Sequence, residues 1–139
     1  QTLLLVKDIM VSGSKIPIIK ITSNIKEASN KITKYKLGLA VVMKKNIVEG
    51  ILTDGDARRS LRYNLKSQNL KNIMNSNPVF ITENSTASKA LAIMNKRKIT
   101  SLLVTSDRTS KSKNKNLKGI VHIHSLLQFG IKWVLEKKD

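Results

Sequence analysis

The sequence predicts an α+β protein built from two copies of a β-α-β-β-α unit. An internal repeat is the first observation, because LVKDIM at 5–10 returns as NLKNIM at 69–74. The second is that each copy alternates short apolar, strand-like segments with one amphipathic helical pattern. A unit of about 60 residues buries only about 60% of its surface and is marginal alone. We therefore expect the two units to pack together around a pseudo-two-fold axis.

In the first copy, local sequence signals predict each of these elements in turn. Pro17 suits the edge of a strand, and Asn24 is a good N-cap with Glu27 at the third helical position. We expect, in sequence, a helical turn ending at Met10, a strand within 16–22, a helix with an apolar stripe at Ile25, Ala28 and Ile32, a hairpin of 39–43 with 47–52, and a last helix just after Thr53.

The second copy repeats the order with a longer hairpin loop. We expect a turn ending at Met74, a strand at 78–82, a helix with Ala87, Ala90, Leu91 and Met94 on one face, a hairpin of 101–105 with 117–121, and a helix after His122. Between the hairpin strands lies a polar tract, 107–116, with turn chemistry and no apolar period. The predicted domains are therefore repeat 1 at 1–66 and repeat 2 at 67–139, with a loop insertion at 107–117 and a C-terminal helix and tail.

Composition limits the classes of function. The net charge of +17 would attract phosphate polyanions, but the basic residues are mostly lysines spread along the chain, and aromatic residues make up only 4%. Nucleic acid is therefore not the partner we expect. The absence of cysteine excludes disulfides and thiolate chemistry. No apolar run is long enough for a membrane span, so we expect no membrane partner and a cytoplasmic location. The start at Gln1, directly followed by an apolar pattern, suggests a fragment of a longer protein.

The stretch GILTDGDARR at 50–59 is the main candidate site. Thr53 and Asp56 have the spacing of a capping box, which would explain the stretch by helix structure alone. A helix N-terminus can also receive phosphate, Gly55 would let a ligand approach the backbone, and a carboxylate of Asp54 or Asp56 can accept hydrogen bonds from ribose hydroxyls. Arg58 and Arg59, one turn further on, could meet phosphate or a neighbouring subunit. We keep capping and ligand contact open as alternatives.

Two other kinds of chemistry fit the sequence poorly. Asp54 and Asp56 are followed by a basic segment, whereas a calcium loop continues with further oxygen ligands. Carboxylates two residues apart at the start of a helix do not face each other as a catalytic pair. His122 and His124 could bind a metal in principle, but no third ligand lies nearby in sequence. We expect no catalytic residue and no metal. His122 is predicted to take over the capping role of Thr53 or to contact a ligand.

The sequence resembles a known family through several motifs together. They are DIM at 8–10, Gly13 with Ile16-Pro17, GILTDGDARR at 50–59, ITSL at 99–102, and GIVHIH at 119–124 followed by Leu126-Leu127. The repeat resembles a tandem of cystathionine-β-synthase-type (CBS) domains, and the motifs are similar to the CBS pair of the arabinose-5-phosphate isomerase family. The likeness covers residues 3–130.

The resemblance implies a regulatory fragment without the catalytic sugar isomerase domain. The parent enzyme would interconvert ribulose 5-phosphate and arabinose 5-phosphate, in the synthesis of Kdo, the acidic sugar of lipopolysaccharide. The expected partners are that N-terminal isomerase domain and a second copy, giving a homodimer through the CBS pair within a higher oligomer. The implied effector is a nucleotide or nucleotide sugar such as CMP-Kdo, AMP or ATP. The alternatives are a ligand-free oligomerisation module and a basic nucleic-acid-binding module.

The predicted ligand contacts fall on both repeats, and the resemblance itself implies those of the Thr and the Asp of the turn. The predicted contacts are Thr53, Asp54, Gly55, Asp56, Arg58, Arg59, His122 and His124. The family usually has Asp where this chain has Ser125, and that change removes a carboxylate that would hold a ribose. It weakens the case for a second nucleotide site. If there is a single site, we expect it at the turn 53–56.

Overall fold

The computed structural model describes residues 3–62, 69–106 and 116–136, with side chains as far as Phe129. The predicted α+β class is confirmed, with two three-stranded mixed sheets and helices. In chain order the elements are α1 (Val6–Ile9), β1 (Ile18–Lys20), α2 (Ile25–Tyr35), β2 (Leu39–Lys44), β3 (Ile47–Thr53), α3 (Asp54–Arg62), α4 (Leu70–Ile73), β4 (Phe80–Thr82), α5 (Ala87–Arg97), β5 (Ser101–Thr105), β6 (Leu117–His122) and α6 (Ile123–Glu136). A 3₁₀ turn lies at Gly13–Lys15.

The two sheets have the same topology. In each, the first strand is parallel to the second, and the second is antiparallel to the third. The register pairs Leu39 with Thr53 in one sheet and Ser101 with His122 in the other. Thr53 and His122 therefore end equivalent strands, and α3 and α6 begin directly after them. Of the predicted loop insertion at 107–117, residues 107–115 lie outside the described residues, and Leu117 belongs to β6 rather than to a loop.

Local sequence rules account for the starts of the long helices. Asn24 caps α2, because its Oδ1 accepts the Glu27 N–H at 2.8 Å. Thr86 caps α5 in the same way, accepting the Lys89 N–H at 3.1 Å. The predicted apolar stripes turn inward, with Ala28 and Ile32 buried in α2 and Ala90 and Met94 buried in α5. Each sheet thereby carries one covered face and one hydrophobic cluster of its own.

The two compact units exchange the first segment of each copy. One unit contains Gln1–Gly13, Val79–Thr109 and Leu117–Asp139, and the other contains Ser14–Pro78. Val6 and Ile9 of α1 are buried in the cluster under the second sheet, whereas Leu70 of α4 is buried in the cluster under the first. The ranges 1–66 and 67–139 remain our prediction for the sequence repeats. Folding pairs the start of each copy with the sheet of the other.

Backbone bridges fix the exchanged segments to the sheet edges. Val11 and Ile120 exchange two hydrogen bonds, of 2.8 and 2.9 Å, and Asn75 and Ile51 exchange two of 2.8 and 3.0 Å. Each bridge lies beside a glycine, Gly119 or Gly50, and close to a β-bulge. The bridges extend each sheet by a short fourth segment.

Among the helices that the structure describes, none is long and apolar enough to cross a membrane.

Candidate functional site

The start of α3 is a complete capping box. The Asp56 N–H donates to Thr53 Oγ1 at 3.2 Å. In return, Asp56 Oδ2 accepts the Thr53 hydroxyl at 2.8 Å and the Thr53 N–H at 3.4 Å. The predicted cap is therefore present. It satisfies the backbone by local contacts, as the S/T-x-x-acid spacing requires.

The two arginines of α3 fold back on the carboxylates of the same helix. Arg58 pairs with Asp54 and Arg59 pairs with Asp56. The arginine side chains are 70% and 63% exposed. Ion pairs in water at this exposure contribute little to stability, so an anion that offers better geometry can recruit the guanidinium groups. The structure thus joins Thr53, Asp54, Asp56, Arg58 and Arg59 in one cluster.

One amide in the first turn of α3 remains available. The Asp54 N–H donates to Gly38 O at 2.9 Å, and the Asp56 N–H is held by Thr53. Within the described ranges, no partner is found for the Gly55 N–H. A Cβ built on Gly55 would meet only ordinary contacts, 3.5 Å to Arg59 Nη1 and 3.9 Å to Thr53 Oγ1. The protein itself does not require glycine here, which fits the expected approach of a ligand to this backbone.

The start of α6 has the same backbone frame with a different cap. The Ile123 N–H donates to Thr100 O at 2.8 Å, as the Asp54 N–H does to Gly38 O. His122 Nδ1 then accepts the His124 N–H at 3.1 Å. The two rings meet edge to face, with centroids 4.8 Å apart. The histidine therefore takes the capping role predicted for it.

The environment of His122 disfavours its charged form. Burial of the ring lowers the pKa of His122 from the ordinary value of 6.5, and the nearby His124 lowers it further. A neutral ring with hydrogen on Nε2 is also what the cap requires, since Nδ1 must be an acceptor. Within the part of the chain that the structure describes, no group of three or more His, Cys, Asp or Glu residues could hold a metal ion.

Two backbone groups of these sites had no signal of their own in the sequence analysis. Gly38 and Thr100 each precede the strand residue that pairs with the helix cap, and each carbonyl accepts the first amide of the following helix. Their roles follow from hairpin register, which a predicted hairpin fixes only to within a few residues. The two helix starts lie in different compact units.

An apolar groove is a separate feature of the described residues. It has a volume of about 370 Å³ and is lined by Leu3, Leu4, Thr86, Ala87, Ser88, Leu91 and Leu126. It offers two hydroxyls and no charged side chain. A phosphate would find no cation there, so the groove does not compete with the α3 turn as a nucleotide site.

We expect Thr53→Ala to lower the free energy of unfolding by about 1 kcal/mol, because it removes both side-chain bonds of the cap. Thr53→Ser should restore most of the loss. Arg58→Ala, which breaks only an exposed ion pair, should change stability by less than about 0.5 kcal/mol. Urea unfolding followed by circular dichroism measures all three. Equal stability of Thr53→Ala and the wild type would mean that the cap has no energetic role.

Comparison with known proteins gives a consistent result. A family model for the CBS domain matches twice, at residues 6–63 and 70–132. The arabinose 5-phosphate isomerase KdsD of Escherichia coli K12 is 33% identical over 134 residues, 94% of this chain. The Francisella tularensis enzyme of the same name is 36% identical over 95% of this chain. The chain spans only 39% of the length of either relative.

Solved structures agree on the fold. The CBS domain pair of protein MJ0100, in complex with 5′-methylthioadenosine and S-adenosyl-L-methionine, matches with a TM-score of 0.79 at 23% identity, covering 94% of this chain and 99% of that one. CBSX2 in complex with AMP matches with a TM-score of 0.77 at 15% identity, covering 94% and 98%. At these identities the likeness concerns the fold alone.

Proposed function

The chain belongs to the CBS domain family, and from this premise we propose that it is the regulatory CBS pair of an arabinose 5-phosphate isomerase, whose first repeat binds a nucleotide or nucleotide sugar. The isomerase relatives support the parent activity, and the 39% of their length that the chain spans leaves room for a separate catalytic domain. The proposed parent interconverts ribulose 5-phosphate and arabinose 5-phosphate in the cytoplasm, for Kdo and lipopolysaccharide synthesis. This fragment carries regulation and no catalysis.

The observation that carries the proposal is the polar cluster at the start of α3. It combines carboxylates for ribose hydroxyls, the Gly55 N–H for an anion, and two weakly paired guanidinium groups for phosphate. A ligand with a cis-diol and a phosphate group uses all three. The complexes of other CBS pairs with AMP and with S-adenosyl-L-methionine make an adenosine compound the general candidate. CMP-Kdo is the specific candidate, because an activated end product would give feedback.

Ligand exchange within the cluster provides a mechanism. Arg59 pairs with Asp56 in the free protein, so a nucleotide would replace this contact by two others, phosphate to the guanidinium and ribose hydroxyl to the carboxylate. The attached isomerase would then respond only if the ligand binds two arrangements of the protein with different affinity. Loss of the Arg59 charge should weaken nucleotides more than nucleosides, whereas loss of the Asp56 carboxylate should weaken both.

The test is titration calorimetry of the 139-residue chain with CMP-Kdo, CMP, AMP, ATP and arabinose 5-phosphate. We expect saturable binding of at least one nucleotide compound, and Asp56→Ala should weaken it at least about tenfold, since a charged hydrogen bond is lost. Glu27→Ala is the matched control. Glu27 occupies the same third position of α2 and bonds to its cap residue Asn24, but it lies at the opposite end of the same sheet. Its loss should leave binding unchanged.

The outcomes separate the proposed function from its alternatives. Absence of binding by every compound would refute the ligand site and favour a ligand-free oligomerisation module. Such a module would draw on the exposed apolar side chains of Leu61, Leu127 and Phe129, which are 48%, 47% and 41% exposed. Binding of polynucleotides that collapses as salt rises would instead favour the basic nucleic-acid-binding alternative.

A further inference from the structure

We propose that His122 is a proton-sensitive cap of α6, which holds the first turn of this helix while its ring is neutral and releases it when the ring takes up a proton. The inference does not depend on any ligand. It rests on the contact between His122 Nδ1 and the His124 N–H, 3.1 Å apart. Because Nδ1 is the acceptor, a proton on this atom and the cap exclude each other.

The first repeat has a helix cap that does not respond to protons near neutral pH. At the equivalent strand end, Thr53 holds the Asp56 N–H with a hydroxyl that does not titrate near neutral pH. Both helices share the remaining frame, with the first amide bonded to the carbonyl of Gly38 or Thr100. With histidine in place of threonine, the cap residue holds the second amide of the helix rather than the third, and its acceptor atom can take up a proton.

Protonation would oppose the helix in two ways. It removes the acceptor of the His124 N–H, and it places a positive charge at the N-terminus of α6, where the helix dipole is already positive. His124 further disfavours a charge on His122, since the two ring centroids lie 4.8 Å apart. Asp54 and Asp56, which give the first turn of α3 its negative charge, correspond to Ile123 and Ser125 here. The second helix thus lacks the carboxylates that would offset a charged ring.

Neighbouring elements do not supply a compensating anion. The charged residues on the elements packed against β6 and α6 are Lys7 and Asp8 in α1 and Lys89, Lys96 and Arg97 in α5, while Lys118 lies on β6 itself. Asp8 is engaged with the Leu5 N–H of its own helix at 2.9 Å. In the described segments, none of these groups forms an ion pair or hydrogen bond with the His122 ring. The strand partner Ser101 offers only a hydroxyl.

The direction of the pH effect follows from the lowered pKa of His122. Burial first, and His124 second, lower this pKa below the ordinary value of 6.5. In the window between 6.5 and the lower folded-state pKa, the unfolded chain therefore binds more protons than the folded one. Folding stability then rises with pH across this window and is lost as pH falls through it. Well above pH 6.5 the ring is neutral in both states and contributes no pH dependence.

The test compares thermal unfolding of the wild type, His122→Thr and His124→Gln between pH 8 and pH 5. His122→Thr installs the cap of the first repeat. We expect the melting temperature of the wild type to fall by several degrees more than that of His122→Thr over this range. His124→Gln keeps the backbone N–H and the burial of His122, so most of the wild-type fall should remain. An equal fall in wild type and His122→Thr would overturn the proposal.

A direct measurement covers the case in which a variant folds poorly. Nuclear magnetic resonance of the wild-type imidazoles should show His122 with hydrogen on Nε2 at pH 8 and a titration midpoint below 6.5. The amide signal of His124 should shift with the same midpoint, because the two groups share one hydrogen bond. A midpoint at or above 6.5, or a His124 amide that does not follow the ring of His122, would contradict a proton-sensitive cap.

Discussion

Removing residues 1–13 should unfold the second copy of the repeat and leave the first copy folded. Val6 and Ile9 are 0% and 6% exposed within the cluster under the second sheet. The Val6 N–H also bonds to Ser85 O, and Val11 pairs with Ile120. The deletion takes two core side chains and a row of backbone bonds from one unit. Loss of each large core side chain alone costs about 1–4 kcal/mol, which is a large share of the stability of a small domain.

Hydrogen exchange is the measurement for this deletion. We expect amides of β5 and β6 to lose protection, and amides of β2 and β3 to keep it. Val6→Ala should cause a smaller loss of protection in the same strands, β5 and β6. Leu70→Ala is the matched control, because Leu70 holds the corresponding place in α4 but is buried under the first sheet. It should weaken β2 and β3 instead. Deprotection of the first sheet by the deletion, with the second intact, would contradict the exchanged arrangement.

Gly119→Ala and Gly50→Ala should each destabilise the protein by on the order of 3 kcal/mol. A Cβ on Gly119 would lie 2.5 Å from Val11 O and 2.8 Å from Met10 Sδ. A Cβ on Gly50 would lie 2.4 Å from Asn75 O and 3.0 Å from Met74 Sδ. The nearest atom is backbone in both cases, so relief requires breaking the bridge that fixes the exchanged segment. The glycines therefore permit two segments of the same chain to approach closely.

Urea unfolding measures this effect, with Gly55→Ala as the control. Gly55 lies in the first turn of α3, where a Cβ would meet only ordinary contacts, and alanine is the better helix former. We expect Gly55→Ala to be neutral or slightly stabilising. Gly119→Ala and Gly50→Ala should also increase exchange at the bridge amides of Ile120 and Ile51. Wild-type stability of both variants would show that the exchanged segments do not need these close contacts.

Local rules predicted most elements and the two helix caps of the first repeat. Asn24 with Glu27, and Thr53 with Asp56, are three residues apart, and the hydrogen bonds of an N-cap join neighbours in sequence. The stripe of Ala90 and Met94 follows from helical periodicity in the same way. Two strands are shorter than predicted: β1, at Ile18–Lys20, falls short of the expected 16–22 at both ends, and β4, at Phe80–Thr82, falls short of 78–82 at its start. Strand length depends on the partner strand, which periodicity alone does not define.

By itself, the sequence determined the class, the order of elements, the duplication and the polar turn at 53–56. Tertiary structure alone decided which sheet receives each first segment. LVKDIM and NLKNIM have the same pattern, so either segment satisfies the local rules of either sheet. The choice is made by long-range contacts, Met10 and Val11 against Gly119, and Met74 and Asn75 against Gly50.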